Sequence, residues 1–217
     1  MTLASVRLTR TLRLAILLTM AIAAGTGPAA AVPVRTMPHT ETAVLAGGCF
    51  WGMEAVFEQV RGVTSVVSGY AGGSALTAHY DEVSTGTTGH AESVQITYDP
   101  RTISYRKLLD VYFTVAHDPT QRNAQSPDEG TQYRSAVFYR TAAQRRDALA
   151  VMAELTAARR FPAPIVTQLV PLRGFYVAEA YHQHFAERNP NYPYIVIYDA
   201  PRISALRDKF PALVKRT

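Results

Sequence analysis

Residues 42–62 read TAVLAGGCFWGMEAVFEQVRG, and the rest of the chain is best understood outward from them. Thr42 to Ala46 is a short apolar run stopped by Gly47-Gly48, which predicts a buried strand. Met53, Val56, Phe57 and Val60 then fall at i, i+3, i+4 and i+7, the spacing of one helix face, and Gly62 ends that helix. Cys49, the chain's one cysteine, therefore lies at a strand-to-helix turn. Unpaired N–H groups and the helix dipole favour negative charge at such a turn, so the thiol is expected to have a lowered pKa and to supply thiolate near neutral pH. A lone cysteine is more often a small buried hydrophobe than a nucleophile, and a helix start alone does not decide between them. Phe50 and Trp51 follow directly, as core rings or as walls of a pocket around the sulfur.

Further along, Ser65–Tyr70 reads as a strand and Ala71–Gly89 as a long glycine-rich loop without regular structure, of functional length. Ala91–Tyr98 is a strand whose alternation puts Val94, Ile96 and Tyr98 on one face. Glu92 shares the parity of that apolar face, the wrong direction for a surface charge. Tyr105, Leu108, Leu109 and Tyr112 form a helix face, Ser135–Arg140 a strand, and Ala148, Val151, Met152 and Leu155 a further helix, with Thr141 and Gln144 as its capping box. Ile165–Val170 reads as a strand and Ala178–Arg188 as a polar helix before Asn189-Pro190. Strands separated by helices, without gaps of hairpin length, predict an open sheet with helices packed on it. Strand order is not fixed by this pattern.

A length of 217 residues suits one domain with appendages, and 47% hydrophobic with 18% charged residues excludes disorder, collagen-like repeats and long coiled coils. The formal charge of +5 is concentrated at one end: Arg7, Arg10 and Arg13 lie in a stretch of 31 residues with no acid, and the remainder is close to balanced. A nucleic-acid partner is therefore not expected. The same stretch has an apolar segment from Leu14 to Ala24 and small residues at Ala29 and Ala31, the layout of a cleaved secretory signal peptide. That segment is too short to span a bilayer, so no stable membrane insertion is expected. The expected organisation is a signal peptide over 1–31, a linker over 32–41 and a single catalytic domain over 42–217, in a periplasmic or secreted protein. Exported proteins tend to pair their cysteines, yet Cys49 has no partner in its own chain.

Gly47-Gly48-Cys49-Phe50-Trp51-Gly52 resembles the signature of peptide methionine sulfoxide reductase type A. The resemblance continues through Ser68-Gly69-Tyr70-Ala71-Gly72-Gly73, Thr88-Gly89-His90-Ala91-Glu92, His117-Asp118-Pro119-Thr120, Gly130-Thr131-Gln132-Tyr133-Arg134-Ser135, Tyr181-His182-Gln183 and Asn189-Pro190. It implies a two-layer, ferredoxin-like α+β fold and reduction of the S epimer of methionine sulfoxide, in proteins or free. Cys49 matches the family's nucleophile, which becomes a sulfenic acid, and Glu92 its acid. Tyr80 and Tyr133 match its oxygen-binding hydroxyls, and Asp128 an acidic residue of the same pocket. Phe50 and Trp51 match the apolar pocket for the substrate's S-methyl group.

The chain departs from many relatives in having no second cysteine to resolve the sulfenic acid. Regeneration by an external thiol such as thioredoxin, glutaredoxin or glutathione is then implied, with no other cofactor and a monomeric protein. A binding protein for oxidised methionine that has lost turnover is the alternative. A cysteine hydrolase would need a histidine base beside Cys49. His90 and His117 lie inside matched motifs and read as structural, and His182 and His184 fall on different faces of the predicted helix, so no metal site is expected.

Overall fold

The computed structural model describes residues 39–216, so the expected signal peptide and most of the linker lie outside the described residues. Glu41, counted in the linker, already begins the first strand. In chain order the elements are β1 (Glu41–Ala46), α1 (Phe50–Glu58), β2 (Val63–Ala71), α2 (Tyr80–Val83), β3 (Ala91–Tyr98) and α3 (Tyr105–Val111). They continue with β4 (Ala124–Gln125), β5 (Asp128–Glu129), β6 (Ala136–Tyr139), α4 (Ala142–Ala157), β7 (Gln168–Pro171), β8 (Phe175–Val177), α5 (Phe185–Arg188) and α6 (Ala200–Lys209). π-helical stretches, Tyr112–Ala116 and Ile195–Asp199, follow α3 and precede α6.

Six strands form one sheet in the order β7-β6-β1-β3-β2-β8. Its inner four, β6-β1-β3-β2, pair antiparallel throughout, which is the order and direction of a ferredoxin-like layer. β7 adds parallel to β6 at one edge and β8 antiparallel to β2 at the other. Flat, those two edges would stand about 24 Å apart at five strand spacings. Only Leu172, Arg173 and Gly174 join them, a reach of about 14 Å at full extension from Pro171 to Phe175, so the sheet must curl.

Alternation along β1 sorts the core into two faces. Ala43 and Leu45 join Val94, Ile96, Met53, Phe57 and Leu109 under the helices, while Val44 and Ala46 join Ala71, Ala91, Ala136 and Phe138 on the concave side. Small residues line that second face because Val170, Leu172 and Phe175, from the chain that closes the curl, pack directly on it. The capping box forms as expected in one direction, with the Thr141 hydroxyl accepting the Gln144 N–H at 3.1 Å. The Gln144 side chain is spent elsewhere, accepting from Arg140 N–H and donating to the Thr42 carbonyl of β1, each at 2.8 Å.

Four expectations need correction. The segment expected to be a polar helix over 178–188 is helical only at α5, because tertiary bonds claim its earlier groups: Ala178 N–H goes to the Ser68 carbonyl, Gln183 clamps both backbone groups of Ser68, and His184 N–H goes to Glu54. His184 is also left-handed, with φ 51°. The strand expected over 165–170 starts only at Gln168, since Val166 N–H bonds the Pro119 carbonyl. A short hairpin, β4–β5, exists where none was expected, its two-residue strands being too brief to show alternation. The long loop 71–89 holds α2 and one 3-10 turn, Ala75–Thr77. No helix among the described residues is long and apolar enough to cross a membrane.

Candidate active site

Two glycines set the turn between β1 and α1. Gly48 has φ +92°, and a Cβ there would lie 2.5 Å from Gln125 Cγ; one on Gly47 would meet the His117 ring at 2.7 Å. Larger residues would therefore push apart the loops that pack behind the turn. The backbone emerges with Cys49 as the N-cap of α1 and its side chain 8% exposed.

The electrostatics of Cys49 reverse the expectation drawn from its place at a helix start. The thiol pKa is raised well above its ordinary value, first by burial and then by the charges of Glu92 and Asp199, with Asp128 adding to them. The nearby Trp51 backbone N–H is the opposing influence and does not overcome them. The resting group is a thiol.

Glu92 lies where its strand parity placed it, on the helix-side face of β3 and 3% exposed. Its Oε2 accepts the Phe50 N–H at 3.0 Å, which fixes the carboxyl beside the residue that follows Cys49. Burial pushes its pKa up to about 8, against the Phe50 bond and with help from Asp128. At neutral pH it is a carboxylic acid and can donate a proton.

Tyr80 and Tyr133 are both half-buried, and each has its acidity weakened by burial and then by the charges of Glu92 and Cys49 or Asp128, so both remain phenols. Neither hydroxyl has a hydrogen-bond partner among the described residues. Tyr80 is held by Glu179, whose Oε1 accepts the Tyr80 N–H at 2.9 Å and whose Oε2 accepts the Tyr70 hydroxyl at 2.8 Å. Asp128, on β5, accepts a hydrogen bond from the Tyr194 hydroxyl, and burial raises its pKa. Tyr194 in turn feels Cys49, so it belongs to the same cluster.

Phe50 and Trp51 separate. Phe50 is 1% exposed and packs against Tyr70 and His182, with ring centroids 5.9 and 4.9 Å away. Trp51 stays partly open, stacked on Phe185 at 3.8 Å and 9°, with Tyr192 and Tyr194 edge-on to it. Its indole N–H donates to His182 Nδ1 at 3.1 Å. An aromatic box of this kind suits an apolar methyl beside a polarisable sulfur.

His182, Tyr194, Glu179 and Asp199 were not singled out from sequence as site residues. His182 and its neighbour Tyr181 stood inside a quoted motif, so a signal existed; Glu179, Tyr194 and Asp199 had none. Asp199 is fully buried at the end of the π-helical stretch, 3.5 Å from the Arg202 guanidinium, and burial pushes its pKa up to about 7. Gly52 lets it approach, since a Cβ there would collide with the Asp199 carboxylate and stand 2.8 Å from Arg202 Nη1. His90 and His117 are structural as expected: His90 bonds Gly73 N–H and the Ser74 carbonyl, and His117 bonds the Tyr112 carbonyl and the Ser135 hydroxyl. His182 and His184 diverge as expected, though from a turn rather than a helix.

The site thus combines a buried nucleophile, a protonated acid, free phenols and an aromatic box, with the acid and the phenols available to an oxygen and the box to a methyl. The peptide methionine sulfoxide reductase family model matches residues 41–213. A peptide methionine sulfoxide reductase of Mesorhizobium japonicum is 52% identical over 179 residues, covering 82% of this chain and 92% of the relative. One from Thermus thermophilus is 49% identical, covering 82% and 99%. Among solved structures, reduced Mxr1 from Saccharomyces cerevisiae superposes with TM-score 0.67 at 34% identity, over 70% of this chain and 87% of that one. Methionine sulfoxide reductase A of Corynebacterium diphtheriae does so with TM-score 0.61 at 36% identity, over 72% and 78%. The chain belongs to the peptide methionine sulfoxide reductase family.

Proposed function

We propose that this methionine sulfoxide reductase works by a neutral-pair mechanism in which Cys49 attacks as a thiol while Glu92 manages the proton. The Cys49 sulfur bonds to the sulfoxide sulfur, and Glu92 donates its proton to the oxygen as charge develops there. The thiol proton passes to the Glu92 carboxylate, the oxygen moves to the cysteine sulfur, and the thioether leaves. Thiol plus sulfoxide become sulfenic acid plus methionine, with no net proton taken up and Glu92 protonated again. Tyr80 and Tyr133 offer hydroxyl donors to the oxygen as charge develops on it. Phe50 and Trp51 take the methyl group, and separate places for methyl and oxygen let the site select one epimer, the S form acted on by its family. The observation that carries this reading is the buried acid Glu92, fixed by Phe50 N–H next to Cys49.

Recovery needs two thiols from outside, because the chain has no second cysteine. One attacks the sulfenic acid, releasing water and leaving a mixed disulfide; the second displaces Cys49 as a thiol. Thioredoxin, glutaredoxin or two glutathione molecules supply that chemistry. The leader composition supports export, which is checked by sequencing the N-terminus of the secreted protein; an unprocessed Met1 would count against it. The reductase chemistry is tested by mixing Glu92→Gln with a methionine sulfoxide peptide: chemistry should slow far more than binding weakens, and equal rates would sink the role given to Glu92.

A further inference from the structure

We propose that Glu54, Glu58 and His184 form a site for one divalent transition-metal cation, joining α1 to the segment that supports the aromatic box. This inference does not depend on the reductase mechanism. One donor atom from each of the three residues lies within 4.8 Å of the others. Glu54 is 1% exposed, and although its Oε2 accepts the His184 N–H at 2.9 Å, its Oε1 is buried with no hydrogen-bond partner. The Ser68 hydroxyl lies close enough to favour the Glu54 carboxylate, yet neither it nor Oε1 closes a hydrogen bond. A buried carboxylate oxygen left bare is expensive, and a bound cation is one of the few things that satisfies it.

The surrounding charges point the same way. Glu58 meets His184 Nδ1 at 2.5 Å and also faces Glu187, with Lys215 as the opposing charge. A cavity of about 530 Å³ opens onto Glu58, His184, Glu187 and Lys215, giving an ion its route in and room for water to complete its coordination. Two carboxylate oxygens and one imidazole nitrogen suit zinc, cobalt, manganese or ferrous ions, whereas calcium and magnesium prefer oxygen alone. An imidazole binds metal in its neutral form, so the ion would take the place of the direct His184–Glu58 contact.

The position links metal to pocket. Glu54 and Glu58 lie on α1, whose N-cap is Cys49, while His184 stands between His182, which accepts the Trp51 indole, and Phe185, which stacks on it. An ion here would fasten the wall from behind without touching substrate.

The test is calorimetric titration of chelator-treated protein with Mn²⁺ and Co²⁺, with the cobalt absorption spectrum recorded alongside. The expected result is one equivalent bound, a rise in melting temperature and no sulfur-to-cobalt charge-transfer band. Glu58→Gln and His184→Gln, both outside the catalytic cluster and at partly exposed positions, should each weaken binding by more than about tenfold while leaving metal-free activity unchanged. Absence of saturable binding would overturn the proposal and leave a histidinium–carboxylate pair. So would binding that survives both substitutions, or a charge-transfer band that puts the ion on Cys49.

Discussion

At pH 7 a Glu92 carboxyl with its pKa near 8 is protonated in about nine molecules of ten, where an ordinary glutamate would be protonated in about one of 300. The fold therefore multiplies the supply of acid roughly 300-fold, and the pH dependence of the chemical step should show it. In rapid-quench single turnovers with a methionine sulfoxide peptide, the rate should be flat from about pH 6 to 7, bend near pH 8, and then fall about tenfold per unit. Glu92→Gln keeps the shape of the side chain but cannot donate a comparable proton, so it should lose about 10²- to 10⁴-fold in rate and lose the bend as well. The loss corresponds to about 3–5 kcal/mol of barrier. The sign is decisive. Because the Cys49 pKa is raised, a reaction that depended on free thiolate would speed up as pH rises through this range. A rate that climbs between pH 7 and 9, or a Gln variant within about threefold of the parent, would refute the neutral-pair mechanism.

Stability should also respond to pH. The folded pKa of Glu92, at about 8, lies above its ordinary 4.5, so its contribution is fully present below pH 4.5 and is lost as pH rises through 8; Glu54 and Asp199, each near 7, act in the same direction. Melting temperature should therefore fall from pH 5 toward pH 8.5, less steeply in Glu92→Gln, and a curve rising over that window would contradict the burial assigned to these acids. Gly52→Ala drives a methyl into Asp199 and Arg202 and should destabilise the protein by about 1–3 kcal/mol in denaturant titrations, whereas an unchanged midpoint would mean that this contact relaxes freely. Trp51→Phe keeps a ring over Phe185 but removes the N–H given to His182, whose Nε2 is already unpartnered, and should lower stability by about 1 kcal/mol while raising the peptide KM. An unaltered KM would remove Trp51 from the binding wall.

What the chain discloses without a structure depends on whether a signal is local. The turn at Cys49 and the inward direction of Glu92 were legible because strand alternation and helix spacing are properties of adjacent residues. The acidity of Cys49 was misjudged because the helix start is local, while the opposing influences come from residues 43, 79 and 150 positions away, Glu92, Asp128 and Asp199. Asp199 and Glu179 were invisible for the same reason: nothing near Asp199 announces that Gly52 leaves room for it, and nothing near Glu179 announces Tyr70 and Tyr80. The misread helix over 178–188 shows the converse, a polar, helix-compatible composition overridden by bonds to Ser68 and Glu54. The ferredoxin-like order was implied by resemblance alone, and the curl follows only once β7 and β8 are known to hold opposite edges.

The central claim is that Cys49 takes the oxygen from one epimer of methionine sulfoxide without help from another cysteine. Single turnover in the absence of reductant, with separated epimers of a methionine sulfoxide peptide and a sulfenic-acid trap, measures it directly. The account predicts one equivalent of methionine from the S epimer, one equivalent of sulfenic acid at Cys49, and neither in Cys49→Ser. Methionine formed by Cys49→Ser, or peptide bound by the parent protein with no product released, would contradict it.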